Sequence, residues 1–181
     1  MIIGLTGLAR SGKSTVAKYV SEEHSFKRLN FKDGLVAEML DNLPDVLNEL
    51  KDTYACTLDE LFKEKPPTMR ALMQNYGTEV RRGDDPDYWV KKWKEQADEL
   101  AGNIVVDDVR FINEAKAVTD NGGIIVRVSR PDRTEKGYSH KSETEQNDIE
   151  PDFTIISSTG DLAGLYREIE NVIHILKTNS D

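Results

Sequence analysis

The chain has 181 residues, 38% hydrophobic and 31% charged, which is enough apolar content to bury a core and too much for a disordered segment. Its 33 acidic and 24 basic residues leave a net charge of −9, which repels polyanions at long range and argues against a general nucleic-acid-binding surface, yet allows a small anion held by a local basic cluster. Cys56 is the sole cysteine, so an internal disulfide and a thiolate-rich metal site are excluded; with no apolar run near the roughly 20 residues of a membrane span, a cytoplasmic protein without a membrane partner is expected.

The opening Met1-Ile2-Ile3-Gly4-Leu5 lacks the basic start of a signal peptide and reads instead as a buried strand, Ile2 to Leu5. Val16, Ala17 and Val20 then recur on one helical face. Phe26 to Phe31 is predicted as a second strand, followed by a helical stripe of Leu35, Met39, Leu43, Val46 and Leu50 that Pro44 should bend or break. Thr53 to Pro67 is a polar connector with one short helix at Leu58 to Phe62. Two helices follow, the first capped by Thr68, the second begun near Pro86 and striped by Trp89, Trp93, Ala97 and Leu100. Ile104 to Val106 has the β-branched content of a buried parallel strand, Ile112 to Asn121 is a helix stopped by Gly122-Gly123, and Ile124 to Ser129 is the next strand. Arg130 to Asp148 is too polar to be buried and is either a lid or a surface excursion. Phe153 to Ile156 is the last strand, and Leu162, Leu165, Ile169, Val172, Ile173 and Leu176 stripe a final helix capped by Asp161. Strands alternating with helices in this order predict a single α/β domain over 1–181: a three-layer P-loop fold with a parallel sheet and right-handed crossovers.

Gly7-Leu8-Ala9-Arg10-Ser11-Gly12-Lys13-Ser14 satisfies the G-x-x-x-x-G-K-[ST] pattern, between a strand and a helix as that pattern requires. Glycines let the backbone turn so that successive amides face phosphate oxygens, and the helix behind adds its positive end. Lys13 supplies a mobile charge for the β- and γ-phosphates of ATP, and the Ser14 hydroxyl is a hard ligand suited to Mg²⁺. Gly7, Ala9, Arg10, Ser11, Gly12, Lys13, Ser14 and Thr15 are therefore the candidate donor-binding residues.

Asp107 and Asp108 follow the strand Ile104 to Val106 at its carboxyl end, where open parallel sheets bind ligands; strand alternation lets one of them face the site as a metal organiser. Arg70, Gln74, Thr78 and Arg81 fall at helical spacing, so a continuous α-helix would align them as a face suited to a phosphate and a base edge, or simply as solvated surface. Arg130, Arg133 and Lys136 could close over a transferring phosphoryl group. His140 reads as a surface histidine, because phosphoryl transfer depends on positioning and electrostatics more than on a strong base.

Several short blocks resemble, in order, those of the phage-type deoxynucleoside monophosphate kinases. They are Met69-Arg70-Ala71-Leu72-Met73-Gln74-Asn75-Tyr76-Gly77-Thr78-Glu79-Val80-Arg81, Tyr88-Trp89-Val90, Asp108-Val109-Arg110-Phe111-Ile112-Asn113-Glu114, Gly122-Gly123 leading to Arg127-Val128-Ser129-Arg130-Pro131, and His140-Lys141-Ser142-Glu143. The resemblance implies a five-stranded parallel sheet flanked by helices, a helical acceptor-binding region over about 32–101 and a lid over about 130–148. It implies ATP with Mg²⁺ as donor, and a small-molecule acceptor such as dGMP, dTMP or dCMP. By position, Arg70, Gln74 and Arg81 become acceptor contacts, Asp108 and Arg110 site residues, and Arg130 a donor or lid contact; Arg130 with Arg133 of the polar segment is expected to meet the charge spread over the transition state. Ser14 and Asp108 are the expected metal ligands, with Asp107, an extra acid before the Asp-Val-Arg-Phe block, leaving the choice of aspartate open, and Phe31, Lys32 and Tyr76 are candidates for the remaining substrate contacts. Base choice, sugar discrimination, the role of Glu143, and the choice between monomer and homodimer stay open. The location implied is the cytoplasm, that of the host for a phage-encoded enzyme.

The opening Ile2-Ile3-Gly4-Leu5-Thr6-Gly7 and Ser11 to Ala17 are also similar to dephospho-coenzyme A kinases, although Asn30-Phe31-Lys32-Asp33 lacks their acidic pair. A nucleotide-dependent switch is the alternative of another class.

Overall fold

The computed structural model describes residues 1–131 and 145–178. The expectations for Arg133, Lys136, His140 and Glu143, and for most of the 130–148 segment, lie outside the described residues. The described chain divides into two compact units, one made of Met1–Asn30 and Gln96–Asp181, the other of Phe31–Glu95.

The first unit carries a five-stranded sheet formed by β1 (Ile2–Thr6), β2 (Lys27–Arg28), β3 (Ile104–Val106), β4 (Ile124–Ser129) and β5 (Phe153–Ile156), in the spatial order β2-β3-β1-β4-β5. Every pairing is parallel; on β1, Gly4 lies opposite Val106 on one side and Ile125 on the other. Period-two alternation divides the side chains between two faces. Ile3, Leu5, Val105, Val126 and Val128 pack with Val16, Ala17 and Val20 of α1 (Lys13–His24) and with Leu165, Ile169, Val172 and Ile173 of α9 (Leu162–Thr178). On the opposite face a Cβ at Gly4 would lie 2.9 Å from Ile125 Cδ1 and 3.2 Å from Val118 Cγ1, so the bare backbone admits α8 (Ile112–Asp120). Helices on both faces give the three-layer architecture expected, and burial of each large aliphatic side chain contributes about 1.5–3 kcal/mol.

β2 is shorter than the Phe26–Phe31 expected. Phe26 and Leu29 are buried, yet only Lys27 and Arg28 pair with β3, because this edge strand has a single neighbour and Phe31 already opens a helix. Asp161 caps α9 as expected, its Oδ1 accepting from the Gly164 amide at 2.8 Å.

The second unit is helical: α2 (Phe31–Asn42), α3 (Pro44–Thr53), α4 (Leu58–Glu64), α5 (Pro67–Gln74), a π-helical stretch (Asn75–Arg81), α6 (Arg82–Asp84) and the start of α7 (Tyr88–Glu99). Met39, Leu47, Leu61, Met69 and Met73 form its core. Pro44 stands in the first turn of α3, so a new helix begins with its own phase; Leu47 is buried and Val46, expected in the stripe, is 41% exposed. Thr57 caps α4 reciprocally with Glu60, whereas Thr68 caps nothing, since α5 starts at Pro67 behind Pro66.

Arg70, Gln74, Thr78 and Arg81 do not lie on one continuous α-helix. From Asn75 the backbone widens to i→i+5 bonding, which turns each residue through a smaller angle, so that Arg81, seven residues beyond Gln74, loses the alignment that a continuous α-helix would give it. Among the described residues no helix is long and apolar enough to cross a membrane.

Candidate functional site

The phosphate loop leaves β1 at Thr6 and enters α1 at Lys13. Gly7 (φ 130°), Arg10 (φ 60°) and Gly12 (φ 115°) all adopt left-handed backbone within six residues, which curls the chain and brings its amides toward one point. A Cβ at Gly7 would run into the Val128 carbonyl, so the close passage of the loop over β4 also requires glycine. Lys13 is buried, and its ammonium donates to the carbonyls of Gly7 at 2.5 Å and Leu8 at 2.7 Å. Ser14 and Arg10 are exposed, Ala9 and Thr15 half-buried.

The Ser11 side chain, in a residue 4% exposed, and the fully buried Thr6 hydroxyl find no hydrogen-bond partner among the described residues. Buried hydroxyls without partners are costly unless a ligand uses them, and a polyphosphate supplies acceptors of the required kind. Beside the loop lies a cleft of about 120 Å³ lined by Gly7, Leu8, Ala9, Ser11, Arg127, Val128, Ser129, Arg130 and Asn147. Arg130 reaches over the loop: a guanidinium nitrogen lies 3.4 Å from where a Gly12 Cβ would be, and its buried Nε has no partner among the described residues. Arg127 donates to the carbonyls of Gln146 and Ile149, which fixes the 3₁₀ turn Glu145–Asp148 at this rim.

At the carboxyl end of β3 the two aspartates differ. Asp107 is 3% exposed; its Oδ2 accepts from Arg28 at 2.5 Å, and its amide donates to Asn30 Oδ1 at 2.8 Å. Asp108 is half-buried. The buried Glu114 carboxylate accepts from the amides of Arg110 (2.7 Å) and Phe111 (3.1 Å) and so shapes the turn that carries Asp108 and Arg110 into α8. Among the described residues no three His, Cys, Asp or Glu side chains converge as a metal cage. A cation here would draw on phosphate oxygens together with a hydroxyl and a carboxylate, the donor set Mg²⁺ takes.

In the helical unit Arg70, Gln74 and Lys32 are half-buried, and Phe31 is buried against Trp93 with ring centroids 5.0 Å apart. Arg81 is drawn into a cluster that sequence reasoning missed. Its centre is Glu38 on α2, 7% exposed, whose Oε1 accepts from Tyr76 (2.9 Å) and Arg81 and whose Oε2 accepts from Tyr88 (2.6 Å) and Lys92 (2.7 Å). Burial alone would raise the Glu38 pKa, but the bonds from Lys92, Tyr88 and Tyr76 outweigh it and hold the carboxyl down at about 2. The same bonds raise Lys92 and Tyr88 above their ordinary values. Glu38 sits beside Met39 in the apolar stripe. The only local signal for its role is a carboxylate at a core-facing step, because its partners come from 38 to 54 residues away.

A curated relative from Acanthamoeba polyphaga mimivirus, named "Putative deoxynucleotide monophosphate kinase", is 26% identical over 93% of this chain and 94% of its own. Among solved structures, TT1252 from Thermus thermophilus shares the fold with a TM-score of 0.52 and 20% identity, covering 97% of each chain. A dephospho-CoA kinase from Campylobacter jejuni aligns with a TM-score of 0.49 and 16% identity over 99% of this chain and 98% of that one. The family model described as AAA domain matches residues 3–151, which include the phosphate loop, the aspartates after β3 and Arg130. The chain thus has a P-loop fold with its phosphate loop, and it belongs to the AAA domain family.

Proposed function

We propose that the protein transfers the γ-phosphoryl group of ATP to the 5′-phosphate of a deoxynucleoside monophosphate, giving a deoxynucleoside diphosphate. The observation that carries the donor half is the loop Gly7 to Ser14: three left-handed residues, a buried ammonium and a buried hydroxyl without a partner among the described residues. The acceptor half is supported by the name of the mimivirus relative and by the cationic side chains of the helical unit.

In this reading the Lys13 ammonium leaves the Gly7 and Leu8 carbonyls for the β- and γ-phosphates, exchanging neutral acceptors for charged ones. Ser14 and Asp108 hold Mg²⁺, which when bound neutralises charge shared by the β- and γ-phosphates. Gly7, Ala9, Arg10, Ser11, Gly12 and Thr15 complete the donor cradle. Arg70, Gln74, Arg81 and Arg110 orient the acceptor, with Phe31 and Lys32 beside it, and Arg130 with Arg133 meets the charge that spreads over the transferring group. An acceptor phosphate oxygen forms the new bond to the γ-phosphorus as the bond to the β-bridging oxygen breaks. The helical residues 32–101 serve the acceptor, and residues 130–148 act as a lid that keeps water from the phosphoryl group.

Incubation with ATP, Mg²⁺ and separate deoxynucleoside monophosphates tests the proposal, with dephospho-coenzyme A as a further acceptor. Diphosphate formation from at least one deoxynucleotide is expected. Slow hydrolysis with no acceptor preference would favour a nucleotide switch, and transfer only to dephospho-coenzyme A would reassign the acceptor.

A further inference from the structure

The Glu38 cluster has a charge balance that a structural pin does not need. One carboxylate faces two cations, Arg81 and Lys92, and among the described residues the ion pairs of both run to Glu38, leaving one positive charge in excess. A single cation would neutralise a buried carboxylate, and the hydroxyls of Tyr76 and Tyr88 occupy further lone pairs. Glu38 itself is closed to water at 7% exposure, whereas the side chains of Arg81 and Lys92 are 32% and 38% exposed, so their outer donors remain within reach of solvent. Arg81 carries five N–H donors and Lys92 three; their bonds to Glu38 and Tyr76 use one Arg81 terminal nitrogen, Nη2, and one Lys92 proton, and the buried Arg81 Nε has no partner among the described residues.

The rings fix where these charges sit. The Arg81 guanidinium lies 5.1 Å from the Tyr76 centroid and 5.4 Å from that of Tyr88, and the Lys92 ammonium 5.1 Å from Tyr88. A guanidinium fork beside an ammonium, both pre-oriented, suits a phosphomonoester dianion. We propose that Lys92 and Arg81 form a phosphomonoester subsite for the acceptor, with Glu38 as the positioning residue that holds both cations from behind. This rests on the kinase reading for the identity of the ligand, although the cluster is built entirely within the helical unit.

The test separates the two. Binding of dAMP, dGMP, dCMP, dTMP and inorganic phosphate is measured by calorimetry in a Lys13→Ala background, which silences the donor loop. At least one deoxynucleotide is expected to bind at least tenfold more tightly than inorganic phosphate, and Lys92→Met is expected to weaken it at least tenfold. Lys92→Arg should restore most of the affinity; Lys116→Met, on the exposed Lys116–Asp120 pair, should change nothing. In the otherwise wild-type enzyme, Lys92→Met and Glu38→Gln should raise the acceptor KM while leaving the ATP KM unchanged, with melting curves confirming that both variants fold. Unaltered deoxynucleotide binding in Lys92→Met, no deoxynucleotide binding in the parent, or no preference over inorganic phosphate would each overturn the subsite. Deoxynucleotide binding that depends on Lys92 in a wild-type protein unable to transfer phosphoryl groups would instead retain the subsite and reject the kinase reading.

Discussion

Arg28 on the edge strand β2 donates to Asp107 Oδ2 at 2.5 Å, tying that strand to the end of β3. The Asp107 side chain is 1% exposed and that of Arg28 39%, so the pair is buried on one side only. Removing the guanidinium takes a close cation away from a buried carboxylate. Arg28→Ala should therefore lower unfolding stability by about 2 kcal/mol, less than for a fully buried pair, as read by urea denaturation.

The neighbouring aspartate should behave differently. Asp108→Asn is expected to cost roughly a hundredfold in kcat and to raise the Mg²⁺ requirement, with little change in the unfolding midpoint. If Asp107→Asn gave that kinetic signature and Asp108→Asn did not, the metal role would pass to Asp107.

Gly7→Ala should fail for two reasons at once. The residue sits at φ 130°, where a Cβ is strained, and the added carbon would meet the Val128 carbonyl, which is backbone and cannot swing away. We expect a loss of about 2–3 kcal/mol in stability and no detectable ATP binding by calorimetry.

Glu38 predicts a pH dependence. Its folded pKa, about 2, lies below the ordinary 4.5, so between these values the unfolded chain binds more protons than the folded one. The contribution of Glu38 is complete above the ordinary value and is lost as pH falls through about 2. The stability gap between wild type and Glu38→Gln should accordingly be constant above roughly pH 5 and shrink steadily below it in urea titrations.

The sheet was legible because its central strands are short β-branched runs with turn residues at both ends, a pattern that depends only on neighbours in sequence. Ile104 to Val106, Ile124 to Ser129 and Phe153 to Ile156 form strands over the ranges expected. The phosphate loop was legible for the same reason, since all its fixed residues lie within eight positions. Edge strand β2 was overestimated because Phe26 and Phe31 are buried for different reasons, one in the sheet core and the other against Trp93 at the start of a helix. The π-helix at Asn75–Arg81 departs from the 3.6 period on which the alignment of Arg70 with Arg81 relied. Glu38 was missed because its burial is stabilised by Tyr76, Arg81, Tyr88 and Lys92, and no local pattern encodes their convergence.

The proposed phosphoryl transfer depends most on the ammonium of Lys13 engaging a triphosphate. Transfer of γ-labelled phosphate from ATP to a deoxynucleoside monophosphate, compared between wild type and Lys13→Ala, tests this directly. We predict labelled diphosphate from the wild type and a drop of roughly a thousandfold or more in the variant, with an unchanged melting curve. Equal turnover by the two proteins, or no labelled product from the wild type with any deoxynucleotide, would contradict it.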